Sequence, residues 1–135
     1  MQNVFYSVFY GDVMGILITN NPLAEAEFGD NFRVEYHEAS MLGILVNIRD
    51  RVHRGHQLLT HPLTGSLKPN ETPYKSVLIS DNPGNIDPRS VQIIEECILA
   101  LHKFTPGHIS ENCLPDLRAM DLFLIRSALE NLANT

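Results

Sequence analysis

The sequence predicts an α/β domain with a small three-layer, Rossmann-like arrangement, in which helices flank a mostly parallel sheet of about four strands. Short apolar runs bounded by turn residues alternate along the chain with segments whose apolar residues recur at helical spacing. The length of 135 residues suits one hydrophobic core, because single domains typically contain roughly 100 to 150 residues. We therefore expect a single α/β domain over residues 14–135.

Four apolar runs predict the strands, at residues 15–19, 32–37, 57–60 and 76–80. The run at 57–60 is short and leads into a long loop, whereas SVLIS at 76–80 has the continuous apolar character of a strand buried on both faces. Residues 23–28 are predicted to form a short polar turn or helix. The order of these elements favours parallel pairing.

Capping residues mark the first two long helices. Ser40 is a suitable N-cap for a helix over residues 40–54, and Gly55 is a suitable C-cap. Asp87 is the matching N-cap for a helix over residues 88–104, which starts with a proline and stops before a Pro-Gly pair.

The last helix, predicted over residues 115–132, is apolar around most of its circumference. A helix that covers one face of a sheet normally shows a single apolar stripe. Two explanations are open: the helix packs between the sheet and another helix, or it forms part of a homo-oligomer interface.

Residues 1–13 differ in character from the rest of the chain, because they are aromatic and almost uncharged. We interpret them as an N-terminal extension. It is either a tail that precedes an initiator at Met14, or an extra strand, since apolar and other residues alternate within it.

Composition excludes several classes of function. The formal net charge of −6 argues against sequence-independent binding to nucleic acid phosphates. No apolar run approaches the roughly 18 residues of a membrane span, and the start lacks the charged region of a signal peptide. Cys97 and Cys113 form no CxxC pair or disulfide framework. We therefore expect a reduced, cytoplasmic protein without a membrane or nucleic acid partner.

The segment HPLTGSLKPNETPYKS, residues 61–76, is the most informative part of the chain for function. Compact domains seldom keep more than roughly a dozen irregular residues between elements unless the loop binds or covers something. Lys68 and Lys75 supply positive charge, and the hydroxyls and amides between them supply directional hydrogen bonds. The loop therefore predicts a site for a small anion, although a solvated loop that packs on its own body is an equally weighted interpretation.

Polar residues also follow three of the predicted strands, at 19–21, 60–61 and 80–82. Ligands collect outside the carboxyl ends of strands in open α/β sheets, although turns need the same residue types. Together with the loop, this rule gives the predicted ligand-binding residues. They are Thr19, Asn20, Asn21, His61, Ser66, Lys68, Asn70, Thr72, Tyr74 and Lys75.

The direction of the strand after the loop decides how these residues meet. His61 and Lys75 approach each other if the strands that flank the loop are antiparallel, and separate if they are parallel. The sequence leaves both open.

No metal or cofactor is predicted. His53, His56 and His61 are close in sequence, but the first lies in the last turn of a helix that Gly55 ends, which explains this cluster without a metal. The chain contains neither a GxGxxG fingerprint nor a P-loop, and no cysteine nucleophile with an identifiable base.

ILITNNP at 16–22 and RVHRGHQLLTHPLTGSLKPNETPYKSVLIS at 51–80 closely resemble the GrdX family. The resemblance extends from about Gly15 into the helix after Asp87, and the block from HPL to YKS is its most specific part. It implies a small protein encoded beside the glycine reductase system of amino-acid-fermenting anaerobes. It assigns no catalytic residue and no cofactor.

Two hypotheses of function follow. The first is an accessory or regulatory binding protein of glycine, sarcosine or betaine reductase metabolism, which recognises a small anionic ligand or a protein partner, such as a reductase component, through the loop. The second is a small enzyme acting on a carboxylated or phosphorylated metabolite, with His61 as acid/base and Lys68 or Lys75 stabilising negative charge. The enzyme requires these groups to converge in one pocket. A docking surface for a protein instead requires an exposed apolar patch around Leu63, Leu67 and Tyr74.

Overall fold

The computed structural model describes residues 13–63, 68–105 and 107–134, and within them the chain forms a mixed α/β fold with three strands and four helices. The strands are β1 (Ile16–Thr19), β2 (Arg33–Tyr36) and β3 (Ser76–Ile79). The helices are α1 (Pro22–Phe28), α2 (Met41–His53), α3 (Pro88–His102) and α4 (Leu114–Ala133), the last preceded by a 3-10 turn (Glu111–Cys113). The predicted α/β class is confirmed.

The sheet has the order β2-β1-β3. Strands β1 and β2 are parallel and are connected by α1, whereas β3 runs antiparallel to β1. In this register Thr19, the last residue of β1, lies opposite Tyr36 at the end of β2 and Ser76 at the start of β3. The predicted sheet of about four strands is therefore wrong in the number of strands, and the direction of β3, which the sequence left open, is antiparallel to β1.

The missing fourth strand is the segment 57–60, which makes a single antiparallel bridge, between Leu58 and Ile79. Side chains replace the other bonds of a regular ladder. The N–H of Gln57 donates to Ser80 Oγ at 2.8 Å, and the N–H of Leu78 donates to Thr60 Oγ1 at 3.0 Å. Because hydroxyls take the positions of strand carbonyls, the segment follows β3 without becoming a strand.

Each face of the sheet carries its own apolar cluster. On one face, alternate residues of β1 and β3 such as Ile18 and Val77 pack against α2 and α3. On the other, Leu17 and Leu78 pack against α1 and α4. The alternation along each strand sends neighbouring side chains to opposite faces, so the sheet is the middle layer of three.

The predicted helix caps are confirmed. Ser40 Oγ accepts from the N–H of Gly43, and the Asp87 side chain accepts from the N–H of Ser90. Gly55 follows α2 with a φ of 107°, and the N–H groups of residues 55 and 56 bond back to the carbonyls of Val52 and Arg51. This pair of hydrogen bonds is the Schellman motif, which requires a left-handed backbone conformation at the position of the glycine.

Helix α4 contacts both β3 and α1, as the first of the two explanations for its apolar surface requires. Ile125 and Leu129 are buried, while Phe123 remains 60% exposed. A homo-oligomer through this helix stays a prediction. Among the described residues no helix is long and apolar enough to cross a membrane.

The predicted N-terminal extension falls almost entirely on residues 1–12, which lie outside the described part of the chain. Val13 is partly buried against the cluster under α1 and α4.

Candidate functional site

Asn20 fastens the end of the long loop to the end of β1. Its side-chain oxygen accepts from the N–H of Lys75 at 2.8 Å, and its amide nitrogen donates to the carbonyls of Pro73 at 2.8 Å and Ala39 at 2.9 Å. All of its side-chain hydrogen-bonding groups are thus used within the fold. The predicted binding residue Asn20 therefore positions the loop.

The antiparallel course of residues 57–60 and β3 brings the two ends of the loop together. As a result, His61 and Lys75 line one cleft, which has a volume of about 380 Å³ and lies between the loop ends and α4. Its walls are mainly apolar, with contributions from Leu59, Pro62, Leu124, Ile125, Ala128 and Leu132. Its polar lining comes from Thr60, His61, Lys75, Ser76, Asp121, Ser127 and Asn131.

Lys75 is the positive group of this cleft. It is partly buried, and within the described residues no carboxylate lies within 4.0 Å of its ammonium. Burial lowers the pKa of Lys75 from its ordinary value, and the negative charge of Asp121 opposes this shift. Loss of hydration is the largest of these effects, as expected for an amine that lacks a direct ion pair.

A chain of buried hydrogen bonds reaches the cleft through Ser76 and Asp121, which line it. The N–H of Asn21 donates to Thr19 Oγ1 at 2.9 Å, and Thr19 and Ser76 share a hydroxyl–hydroxyl bond of 2.7 Å. Ser76 Oγ then donates to Asp121 Oδ2 at 2.7 Å, and the same oxygen accepts from Asn21 Nδ2 at 2.9 Å. Asp121 is only 6% exposed, so its carboxyl group depends on these donors for solvation.

His61 is exposed at the mouth of the cleft. Its Nδ1 accepts from the N–H of Leu63 at 3.1 Å. A neutral imidazole that accepts at Nδ1 carries its proton on Nε2. The local turn thus fixes the tautomer of His61 and leaves an N–H donor on the other nitrogen.

A second cleft, of about 430 Å³, has no lining residue in common with the first. It is lined by Asn20 and by Tyr74, whose hydroxyl accepts from Arg118 Nη1 at 2.9 Å. The Arg118 guanidinium lies 5.7 Å from the centre of the Tyr74 ring, within the range of a cation–π contact. Neighbouring residues therefore separate, with Tyr74 in this cleft and Lys75 in the first.

Three other predicted binding residues, Lys68, Asn70 and Thr72, do not line the first cleft. Thr72 is buried, and its hydroxyl accepts from the N–H of Tyr74 at 3.2 Å. Lys68 is exposed, with its N–H bonded to Glu71, and Asn70 is partly buried. Ser66 lies outside the described residues.

The third polar strand end, residues 80–82, is at the opposite end of the sheet, because β3 is antiparallel to β1. Its groups serve the fold there. The carbonyl of Ser80 is 2.8 Å from His56 Nδ1, and Ser80 Oγ accepts from the N–H of Gln57. The polar end of β3 therefore does not belong to the candidate site.

The histidines that are close in sequence do not converge in space on one another. His53 lies 3.5 Å from Glu95 at the end of α2, His56 bonds to Ser80, and His61 is at the cleft. Within the described ranges no group of three or more His, Cys, Asp or Glu side chains is arranged to hold a metal ion.

Asp121 is the important residue that sequence reasoning missed. A signal for it exists in the helical spacing of Leu117, Asp121, Ile125 and Leu129, which places an acidic side chain on the same face as three apolar ones. A charged residue on a buried face requires a partner or a function.

The structure thus defines a small α/β domain whose loop and last helix enclose a cleft above a buried carboxyl group. Residues 16–130 match the family model described as GrdX-like protein, and the chain belongs to this family. No curated protein and no solved structure matches the chain.

Proposed function

We propose that this chain is a small-molecule binding protein that holds an anionic ligand against Lys75 in the first cleft. We further propose that it is an accessory or regulatory component of glycine, sarcosine or betaine reductase metabolism, the context that the family name suggests. The observation that carries the binding proposal is that Lys75, a partly buried lysine without an ion pair among the described residues, lines the cleft.

Charge and size support a small anion. A lysine that has lost part of its hydration gains a strong, charge-assisted hydrogen bond when a carboxylate or phosphate enters beside it. The volume of about 380 Å³ is near the lower end of the range for ligand pockets, roughly 300 to 1,000 Å³. Both features favour a metabolite with few heavy atoms and an apolar side that contacts Leu124 and Ile125.

The surroundings of the loop give less support to a protein partner at this place. A docking patch was expected around Leu63, Leu67 and Tyr74. Leu63 is partly buried against the core, and Tyr74 is partly buried beside Arg118. Leu67 lies outside the described residues.

An enzyme acting on a carboxylated or phosphorylated metabolite is the second candidate. The observation that favours it is that His61 and Lys75 line the same cleft, which is the convergence that acid/base chemistry requires. In this case His61 donates or accepts a proton, and Lys75 stabilises negative charge.

A thermal-shift screen tests the binding proposal, since a ligand specific for the folded state raises Tm by mass action. The panel contains carboxylates, amino acids, acyl phosphates and inorganic phosphate, and it is run on wild type, Lys75→Met, Lys68→Ala and Lys103→Met. Lys103 is exposed at the end of α3 and is the matched control.

We expect a stabilising anion whose effect disappears in Lys75→Met and persists in Lys103→Met. A shift that persists in Lys75→Met, or that disappears only in Lys68→Ala, would overturn the placement of the site in the first cleft.

A further inference from the structure

We propose that Lys75 is a nucleophilic amine that forms a reversible imine with a small oxo acid, an aldehyde or ketone that also carries a carboxylate. The inference rests on the proposed function, because it requires the ligand to enter the first cleft beside Lys75. It adds the chemical class of the ligand and a covalent step.

The geometry around Lys75 favours a free amine. Its backbone N–H is fixed by Asn20 at 2.8 Å, and the next residue begins β3, so the side chain starts from a rigid position. An ion pair would hold the side chain as an ammonium and block its lone pair. In the described structure Lys75 has no such partner within 4.0 Å.

Imine formation needs the neutral amine, and the environment of Lys75 increases its population. Burial lowers the pKa of Lys75, as desolvation does for other reactive lysines. Three groups face it from the surrounding elements. The negative charge of Asp121 on α4 opposes the shift, Cys97 lies nearby on α3, and His61 lines the cleft from the loop.

The reaction balances without an external oxidant or reductant. The lone pair of Lys75 Nζ attacks the carbonyl carbon, a C–N bond forms, and the carbonyl oxygen takes a proton while nitrogen loses one. The resulting carbinolamine then loses its hydroxyl group as water and leaves a cationic iminium. The proton needed for the loss of water comes from solvent at the mouth of the cleft, where the Nε2–H group of His61 donates a hydrogen bond that orients the departing hydroxyl group. The Asp121 carboxyl group and the ligand's own carboxylate stabilise the positive charge.

The test is reductive trapping with glyoxylate and cyanoborohydride on the full chain, followed by intact mass measurement and peptide mapping. Hydride adds to the imine carbon and makes the adduct permanent. The chain has only three lysines, Lys68, Lys75 and Lys103, so each adduct is assigned directly. We expect the adduct on Lys75 to form at least about tenfold faster than on Lys103, because a bound ligand reacts as an intramolecular partner.

Two controls separate this inference from the proposed function. A carboxylate without an aldehyde or ketone group, such as propionate, is expected to slow labelling of Lys75 by occupying the cleft. Labelling of Lys103 should be unaffected. His61→Gln is expected to slow trapping while the thermal shift with propionate persists.

Equal labelling of the three lysines, or a thermal shift that depends on Lys75 without preferential trapping, refutes the imine and leaves anion binding in place. If no anion raises Tm and none protects Lys75 from labelling, both proposals are refuted. Because peptide mapping uses the wild-type chain, the result does not depend on the folding of a variant.

Discussion

The buried carboxyl group of Asp121 provides the sharpest test of the structure. Its Oδ2 accepts from Ser76 Oγ at 2.7 Å and from Asn21 Nδ2 at 2.9 Å. Hydrogen bonds to a charged group contribute roughly 1.5 to 3 kcal/mol each to stability. Asp121→Ala removes both. The two donors keep one other contact each, since Asn21 also bonds the carbonyl of Arg118 at 2.9 Å and Ser76 also bonds Thr19 at 2.7 Å.

We therefore expect Asp121→Ala to lower the free energy of unfolding by about 3 kcal/mol, toward the lower end of the sum of two such bonds. Asp121→Asn keeps the shape and one acceptor oxygen, so its expected cost is about 1 to 2 kcal/mol. Asp116→Ala, at an exposed position in the first turn of α4, is the matched control. It removes only a favourable interaction with the helix dipole, worth up to about 1 kcal/mol.

Urea unfolding followed by far-UV circular dichroism measures these differences, since the chain has no tryptophan to report by fluorescence. An Asp121→Ala variant that loses no more stability than Asp116→Ala would refute the buried network. So would an Asp121→Asn variant that is as unstable as Asp121→Ala.

Three further predictions concern individual side chains. Because the folded-state pKa of Lys75 is lowered, the free energy of unfolding of wild type rises with pH from that lowered pKa to the ordinary value of 10.5. Lys75→Met should therefore be more stable than wild type at pH 7, and its advantage in urea unfolding should disappear near pH 10.5. Burial raises the pKa of Cys97 to about 11, whereas Cys113 is exposed; a thiol reagent should label Cys113 in the native protein and Cys97 only on unfolding, and equal native rates would contradict the burial of α3. Gly55→Ala should cost more than about 2 kcal/mol by urea unfolding, because φ is 107° and an added Cβ would overlap the carbonyl oxygen of Gly84; a smaller loss would contradict this close approach.

Local structure was largely predictable, because capping is a local interaction. Ser40 and Gly55 delimit α2, and Asp87 marks the start of α3, each through hydrogen bonds within a few residues. The positions of the three observed strands, β1, β2 and β3, were also predicted within one or two residues. The physical information for these elements is contained in short stretches of sequence.

The direction of β3 was not predictable, because the loop before it is long enough to allow either course. The antiparallel pairing is fixed by contacts distant in sequence, such as the bond between Thr19 and Ser76. The failure of 57–60 to become a strand has a side-chain origin, since the hydroxyls of Ser80 and Thr60 accept in place of ladder carbonyls.

The candidate site was predictable in part, for a related reason. The loop pattern selected His61 and Lys75, which line one cleft, but it also selected Lys68, which is exposed elsewhere. Charge and length identify a polar loop without telling which of its side chains turn inward. Asp121 comes from a helix that is distant in sequence, and only its position on an apolar helix face distinguishes it.

One face of α4 contacts both the hydrophobic core and the first cleft. Asp121, Ile125 and Leu129 succeed one another every four residues on one face, so the helix meets the ends of β1 and β3 with its carboxyl group and the sheet face with its apolar groups. The docking of α4 therefore depends on both sets of contacts. A ligand between Lys75 and α4 adds bonds across the same junction. Binding in the cleft and global unfolding must then be linked, and the melting temperature reports directly on occupation of the site.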